Sequence, residues 1–174
     1  MKALTIWQPW ASLITSGIKK YETRSWPTKY RGPIAIHAAK QTDPDVFQGL
    51  LCKQKTIEQL IKCGITPENV DDLPHGAIIG TAELVNVWKI VLHPGPDIDK
   101  ARHIPLGAES LTTDRHAPDF GAYFVPTEQE MAFGNWIPGG YAWELQNVKI
   151  LSEPIPIKGK QGLWDWEPEK EAMT

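Results

Sequence analysis

Residues 3–7 alternate in hydropathy, with Leu4 and Ile6 on one face and Thr5 and Trp7 on the other, which predicts a β-strand. Pro9 suits the first turn of a helix. Trp10, Leu13 and Ile14 then recur at helical spacing until Gly17 can cap the end. Residues 21–26 read as extended, and a turn at Arg31-Gly32-Pro33 leads into a strand over 34–39. A helical block follows. Asp43 caps a helix with Pro44 at its first position and Val46, Phe47, Leu50 and Leu51 on its buried face. Thr56-Ile57-Glu58-Gln59 matches a capping box that opens a second helix running to Gly64, and Thr66-Pro67-Glu68 opens a short helical turn.

His75-Gly76 feeds a β-rich run over 77–92. Residues 93–120 show little periodicity, and a loop that long in a compact domain is usually functional or mobile. Thr127-Glu128-Gln129-Glu130 signals a short helix, 141–151 a strong strand, and Gly159 to Trp164 a turn into a last short strand. Strands spread along the chain with a helical block near the front predict an α+β fold, a small mixed β-barrel with helices packed outside it. No linker or repeat divides the chain. The expectation is a single domain over 1–174 with a long irregular insertion at about 93–136.

Charge sharpens this picture. The net charge of −3 argues against a protein that coats a nucleic-acid duplex by bulk electrostatics. Yet Lys19, Lys20, Arg24, Lys29, Arg31 and Lys40 face one acid, Glu22, within the same stretch. A local basic face of this kind fits a small anionic ligand or a short single strand. Eight tryptophans are many for 174 residues, and most sit beside Pro, Gly or charged residues, which points to a rim or cleft. Cys52 and Cys63 lie on apolar helical faces and read as buried thiols. The five histidines lack zinc-site spacing, so no metal and no cofactor is expected. With no signal-like amino terminus and no apolar run of membrane length, a cytoplasmic setting without membrane contact is expected.

The chemistry concentrates after Gly17. Lys19 leaves the helix end, and Glu22 and Arg24 share a face of the extended segment. A lysine beside a carboxylate is either a tuned base or an ion pair, and both readings stay open here. Glu83 lies mid-strand, on a face that also carries Ile79, Val85 and Val87. It reads as a buried or half-buried carboxylate fit for proton transfer. Trp7 and Trp26 are candidate stacking rings beside the basic cluster, whereas Trp10, on its apolar stripe, reads as core. His37 is a possible hydrogen-bonding group or a structural histidine. Lys158-Gly159-Lys160-Gln161-Gly162 is a basic turn whose backbone N–H groups could meet phosphate.

The segments LTIWQPWASLI (4–14) and GIKKYETRSW (17–26), together with Tyr30-Arg31-Gly32, resemble the ASCH (activating signal cointegrator homology) domain and its G-x-K-x-x-E-x-R signature. Gly76 to Gly80, and Pro156-Ile157-Lys158-Gly159 followed by Trp164, resemble later parts of that family. The resemblance implies a PUA-like fold and a basic, aromatic-lined cleft around the signature, suited to single-stranded RNA, a nucleotide or a modified nucleoside. Its ligand-binding set would be Trp7, Gln8, Lys19, Glu22, Arg24, Trp26, Arg31 and Lys158. Some members are amidohydrolases of acetylated cytidine that use a lysine, a threonine nucleophile and a glutamate. Lys19 and Glu83 match the lysine and the glutamate, but Glu22 stands at the threonine position, and Thr23 beside it would point to the opposite face. Three readings follow: an RNA- or nucleotide-binding module, a hydrolase of a modified nucleoside or of RNA using Lys19 with Glu83 or Glu22, and a protein-interaction module of an RNA-processing or transcription complex.

Overall fold

The computed structural model describes residues 1–48, 54–90, 108–110 and 126–167. Strand β1 (Lys2–Gln8) runs into helix α1 (Trp10–Thr15), followed by β2 (Tyr21–Arg24) and β3 (Gly32–Thr42). Helices α2 (Asp45–Gln48) and α3 (Gln54–Lys62) and a 3-10 turn (Val70–Asp72) precede the long strand β4 (Ala77–Ile90). Then come β5 (Ala108–Ser110), α4 (Glu128–Phe133), β6 (Tyr141–Pro156) and β7 (Leu163–Asp165).

Seven strands form one sheet in the order β2-β6-β4-β3-β1-β7, with β5 paired to β4 off that path. Among the described ladders only β1–β3 is parallel. The α+β class therefore holds. Closure into a barrel is not seen: among the described residues no ladder joins the end strands β2 and β7. A side chain nevertheless spans part of the gap, since Arg24 Nη2 on β2 donates to Thr5 O on β1 at 2.8 Å. The sheet thus curls enough to bring its β2 end against β1.

Alternation along the strands sends Leu4, Ile6, Ile34, Ile36, Leu84 and Trp143 to one face, where Ala11 and Ile14 of α1 complete the main core. Gly80 lets that helix approach, because a Cβ there would lie 2.6 Å from Thr15 Cγ2. Leu13, on the other side of α1, joins Val46, Leu60, Val70 and Phe133 in a second cluster that ties α2, α3 and α4 together. Trp164 and Trp166 cover Ala3, Ala35 and Ile78 on the opposite sheet face.

Several expectations change in detail. The capping box at Thr56 is not used: α3 starts at Gln54, and the Thr56 hydroxyl donates to Ala132 O at 2.9 Å, a tertiary partner instead of a local one. Asp43 does cap α2, accepting from Asp45 N at 3.0 Å. The β5 strand falls inside the stretch expected to be irregular, whereas α4 forms where the Thr127 signal predicts it, with Thr127 Oγ1 accepting from Glu130 N at 3.2 Å. Leu50, Leu51, Cys52 and most of 93–125 lie outside the described residues. Cys63 is half-buried, and burial pushes its thiol up from the usual value. No helix among the described residues is long and apolar enough to cross a membrane.

Candidate functional site

Gly17 adopts φ +76°, the left-handed conformation that ends α1, and Lys19 N then bonds back to Leu13 O at 2.9 Å. This reversal turns the Lys19 side chain inward, where it is 1% exposed. Its Nζ donates to Tyr21 O and to Glu22 Oε2, the latter at 2.9 Å. Glu22 sits on β2 directly across from Trp143 of β6. Its second oxygen, Oε1, lies 3.2 Å from Arg24 Nη2, the group that also reaches Thr5 O. The signature is therefore a mostly buried ion-pair set in which one carboxylate is held between two cations. A pair so far from water is sensitive to loss of either partner.

A residue that the sequence marks only as part of a helix start braces this set. Glu130 of α4 is buried, and its Oε1 accepts from Lys20 N at 2.6 Å, while Gln129 Nε2 donates to Ile18 O at 2.9 Å. The other Glu130 oxygen, Oε2, is buried and has no hydrogen-bond partner among the described residues. Burial holds the Glu130 carboxyl above the usual carboxylate range, against the opposing pull of the Lys20 N–H bond and the Lys19 charge. The folded state therefore binds this proton more tightly than the unfolded chain does. Stability falls as pH rises from the ordinary glutamate value through the raised one. Glu130→Gln keeps an acceptor for Lys20 N and removes the titration. The melting temperature of the variant relative to the wild type is expected to climb across that window; a constant difference would contradict the assignment.

Glu22 and Thr23 open on a cleft of about 560 Å3, within the range of small-ligand sites. Trp10, Asp43, Asp45 and Phe133 form its other notable walls. Trp10 is half-buried; its Nε1 donates to Asp43 Oδ2 at 2.7 Å, and its ring meets Phe133 at 6.0 Å between centroids. The expected basic character is not found: the described wall of this cleft carries Glu22, Asp43 and Asp45 and no Lys, Arg or His. Lys19, Lys20 and Tyr21 instead line a second hollow, of about 530 Å3, with Glu144 and Asn147. Burial, Glu144 and Glu130 push the Tyr21 phenol up to about 12, so it stays protonated at neutral pH.

The other expected site residues are scattered. Trp7 is 48% exposed and free to meet a ligand. Gln8 is buried; its Nε2 donates to Ser12 Oγ and Pro74 O, and its Oε1 accepts from Ser12 N, so its amide is engaged within the chain. Trp26 packs edge-on against the buried Trp143, with centroids 4.6 Å apart. Arg31 Nη1 donates to Thr28 O and Tyr30 O, and burial lowers its pKa from the ordinary value. That closes a turn. Lys158 is exposed on the loop after β6. Glu83 is half-buried and accepts from Asn147 Nδ2 at 2.7 Å. It does not share a face with all its expected neighbours, because three irregularities in the β4–β6 register break the alternation. Ile79 and Val87 consequently join the core with Ala82 and Leu84. His37 is buried, its Nε2 pairs with Ile157 O at 2.9 Å, and burial lowers its pKa. Among the described residues no cluster of three His, Cys, Asp or Glu could hold a metal.

The signature, its position between α1 and β6, and the order of the strands define a class. The ASCH domain family model matches residues 4–154, and the chain belongs to that family. It is similar to activating signal cointegrator 1 of Homo sapiens, at 36% identity over 106 residues, which is 59% of this chain and 17% of that protein. Activating signal cointegrator 1 of Mus musculus is 34% identical over 84 residues, 48% of this chain and 14% of that protein. The chain thus spans less than a fifth of the length of these curated relatives.

Proposed function

We propose that this ASCH domain binds RNA or a nucleotide by taking a base into the cleft beside Glu22. One observation carries the reading: a carboxylate fixed between Lys19 and Arg24 opens, with a tryptophan ring, on a cavity of nucleoside size. Glu22 keeps acceptor capacity on both oxygens for an amino or imino edge, and Trp10 offers a stacking face. The exposed Trp7, Lys20 and Lys158 are placed on the surface, where a strand leaving the cleft could meet them. The same reading takes the Arg24 to Thr5 contact as the point where a PUA-like barrel would close.

Titration of nucleosides, nucleotides and short single-stranded RNAs tests this. Saturable binding is expected, weakened about 10- to 100-fold by Glu22→Gln, since a hydrogen bond to a charged group contributes about 1.5–3 kcal/mol. Absence of saturable binding by all three classes would overturn the reading. A hydrolase reading draws on the second hollow, where Asn147 lines the wall with Lys19 and holds Glu83. Chromatography of the same samples after incubation with an acylated cytidine covers it: released acid would support turnover, and unchanged substrate would dismiss it.

A further inference from the structure

The cleft wall has an uneven chemistry that its signature residues do not account for. Glu22 is neutralised from behind by Lys19 and Arg24. Asp43 and Asp45 have no ion-pair partner among the described residues, so the uncompensated charge in this wall is negative. Trp10 is coupled to that charge. Its Nε1–H donates to Asp43 Oδ2 at 2.7 Å, and a donor N–H bound to a carboxylate leaves its indole more electron-rich. An electron-rich ring face attracts cations, most strongly where the site is partly desolvated. Phe133 adds a second ring, tilted 49° to the first. Their centroids are 6.0 Å apart, too close to sandwich a base between parallel faces, and Phe133 is buried, so a base would have to stack on the half-buried Trp10.

From this geometry we propose that the cleft selects a nucleobase carrying a positive charge, of the ring-N-methylated kind, over its neutral parent. The proposal rests on the nucleobase-binding reading and names the ligand class of the same cleft. N1-methyladenosine and N3-methylcytidine are suitable: each is cationic at neutral pH, keeps a stacking face, and presents an N–H edge to Glu22. The electron-rich indole and Asp45 would stabilise that charge, while the neutral parents receive only the stacking and hydrogen-bond contributions.

The test is a paired titration of adenosine against N1-methyladenosine and cytidine against N3-methylcytidine, with wild type, Asp45→Asn and Asp43→Asn. The methylated nucleosides are expected to bind about tenfold tighter than their parents. Asp45 is exposed, so Asp45→Asn should leave the melting temperature unchanged while reducing the ratio of methylated to parent affinity by about half or more. Asp43→Asn, which also weakens the Trp10 contact, should reduce it further. Parents binding as tightly as the methylated forms would overturn this proposal and leave the nucleobase reading intact. Failure of every nucleoside to bind would also overturn this proposal, and only the further failure of nucleotides and short single-stranded RNAs would remove the nucleobase reading with it. Tetramethylammonium binding as tightly as N1-methyladenosine would also overturn it, because the base would then contribute nothing.

Discussion

Glu22→Ala is expected to lower the unfolding free energy by about 3–5 kcal/mol in denaturant titrations, the cost of stripping one partner from a buried pair. The reason lies in what it leaves behind. Lys19 is 1% exposed and would keep only the Tyr21 carbonyl as acceptor. Among the described residues Arg24 already has a buried Nε without a partner and would retain only Thr5 O. Lys19 cannot reach water without moving β2 or the turn after α1. A solvated surface pair would lose no more than about 1 kcal/mol on the same substitution, so an effect that small would sink the buried ion-pair assignment. The double variant Lys19→Met with Glu22→Leu should recover much of the loss. Apolar groups of similar volume often replace a buried pair without penalty, and Arg24, a quarter exposed, can turn toward solvent.

Trp143→Ala is expected to cost about 3–5 kcal/mol as well, by a different route: the lost transfer of a large ring plus the cavity it leaves. The Trp143 ring is fully buried in the main core. Its position on β6 lies opposite Glu22 on one side and Val87 on the other, so it packs beneath the signature strand. Trp26 stands edge-on against it, and Trp143 Nε1 donates to Trp26 O at 3.3 Å. The ring therefore holds both the Glu22 strand and the chain that follows Arg24. Ligand affinity should fall along with stability, which distinguishes this variant from a core truncation remote from β2. A loss below about 1 kcal/mol would mean that the neighbouring side chains collapse into the space.

The elements with strong local signals were legible. The alternation at Leu4 and Ile6, the Gly17 stop and the Asp43 cap each depend on neighbours a few residues away, and the structure has β1, α1 and α2 there. Thr56 was misleading because a hydroxyl that fits a local cap found Ala132 O, 76 residues on. The faces of β4 were misread at Glu83 because strand alternation assumes an unbroken register, and the β4–β6 ladder slips three times. Trp10 packs against the core, as its apolar stripe predicts, and also lines the cleft. An apolar stripe shows that a helix has a buried side but does not show where its rim opens onto a cleft.

By itself the sequence determined the family, the α+β class and the segment in which the charged chemistry resides, since each is written in contiguous residues and their spacing. The tertiary structure decided what those charges do. It turned Lys19 inward, brought Glu130 across 110 residues to brace Lys20, and set Asp43 beside Trp10 so that the cleft became acidic where a run of lysines and arginines predicts a basic one. Linear charge density counts residues, whereas the field inside a cleft depends on which side chains face it and which are already paired.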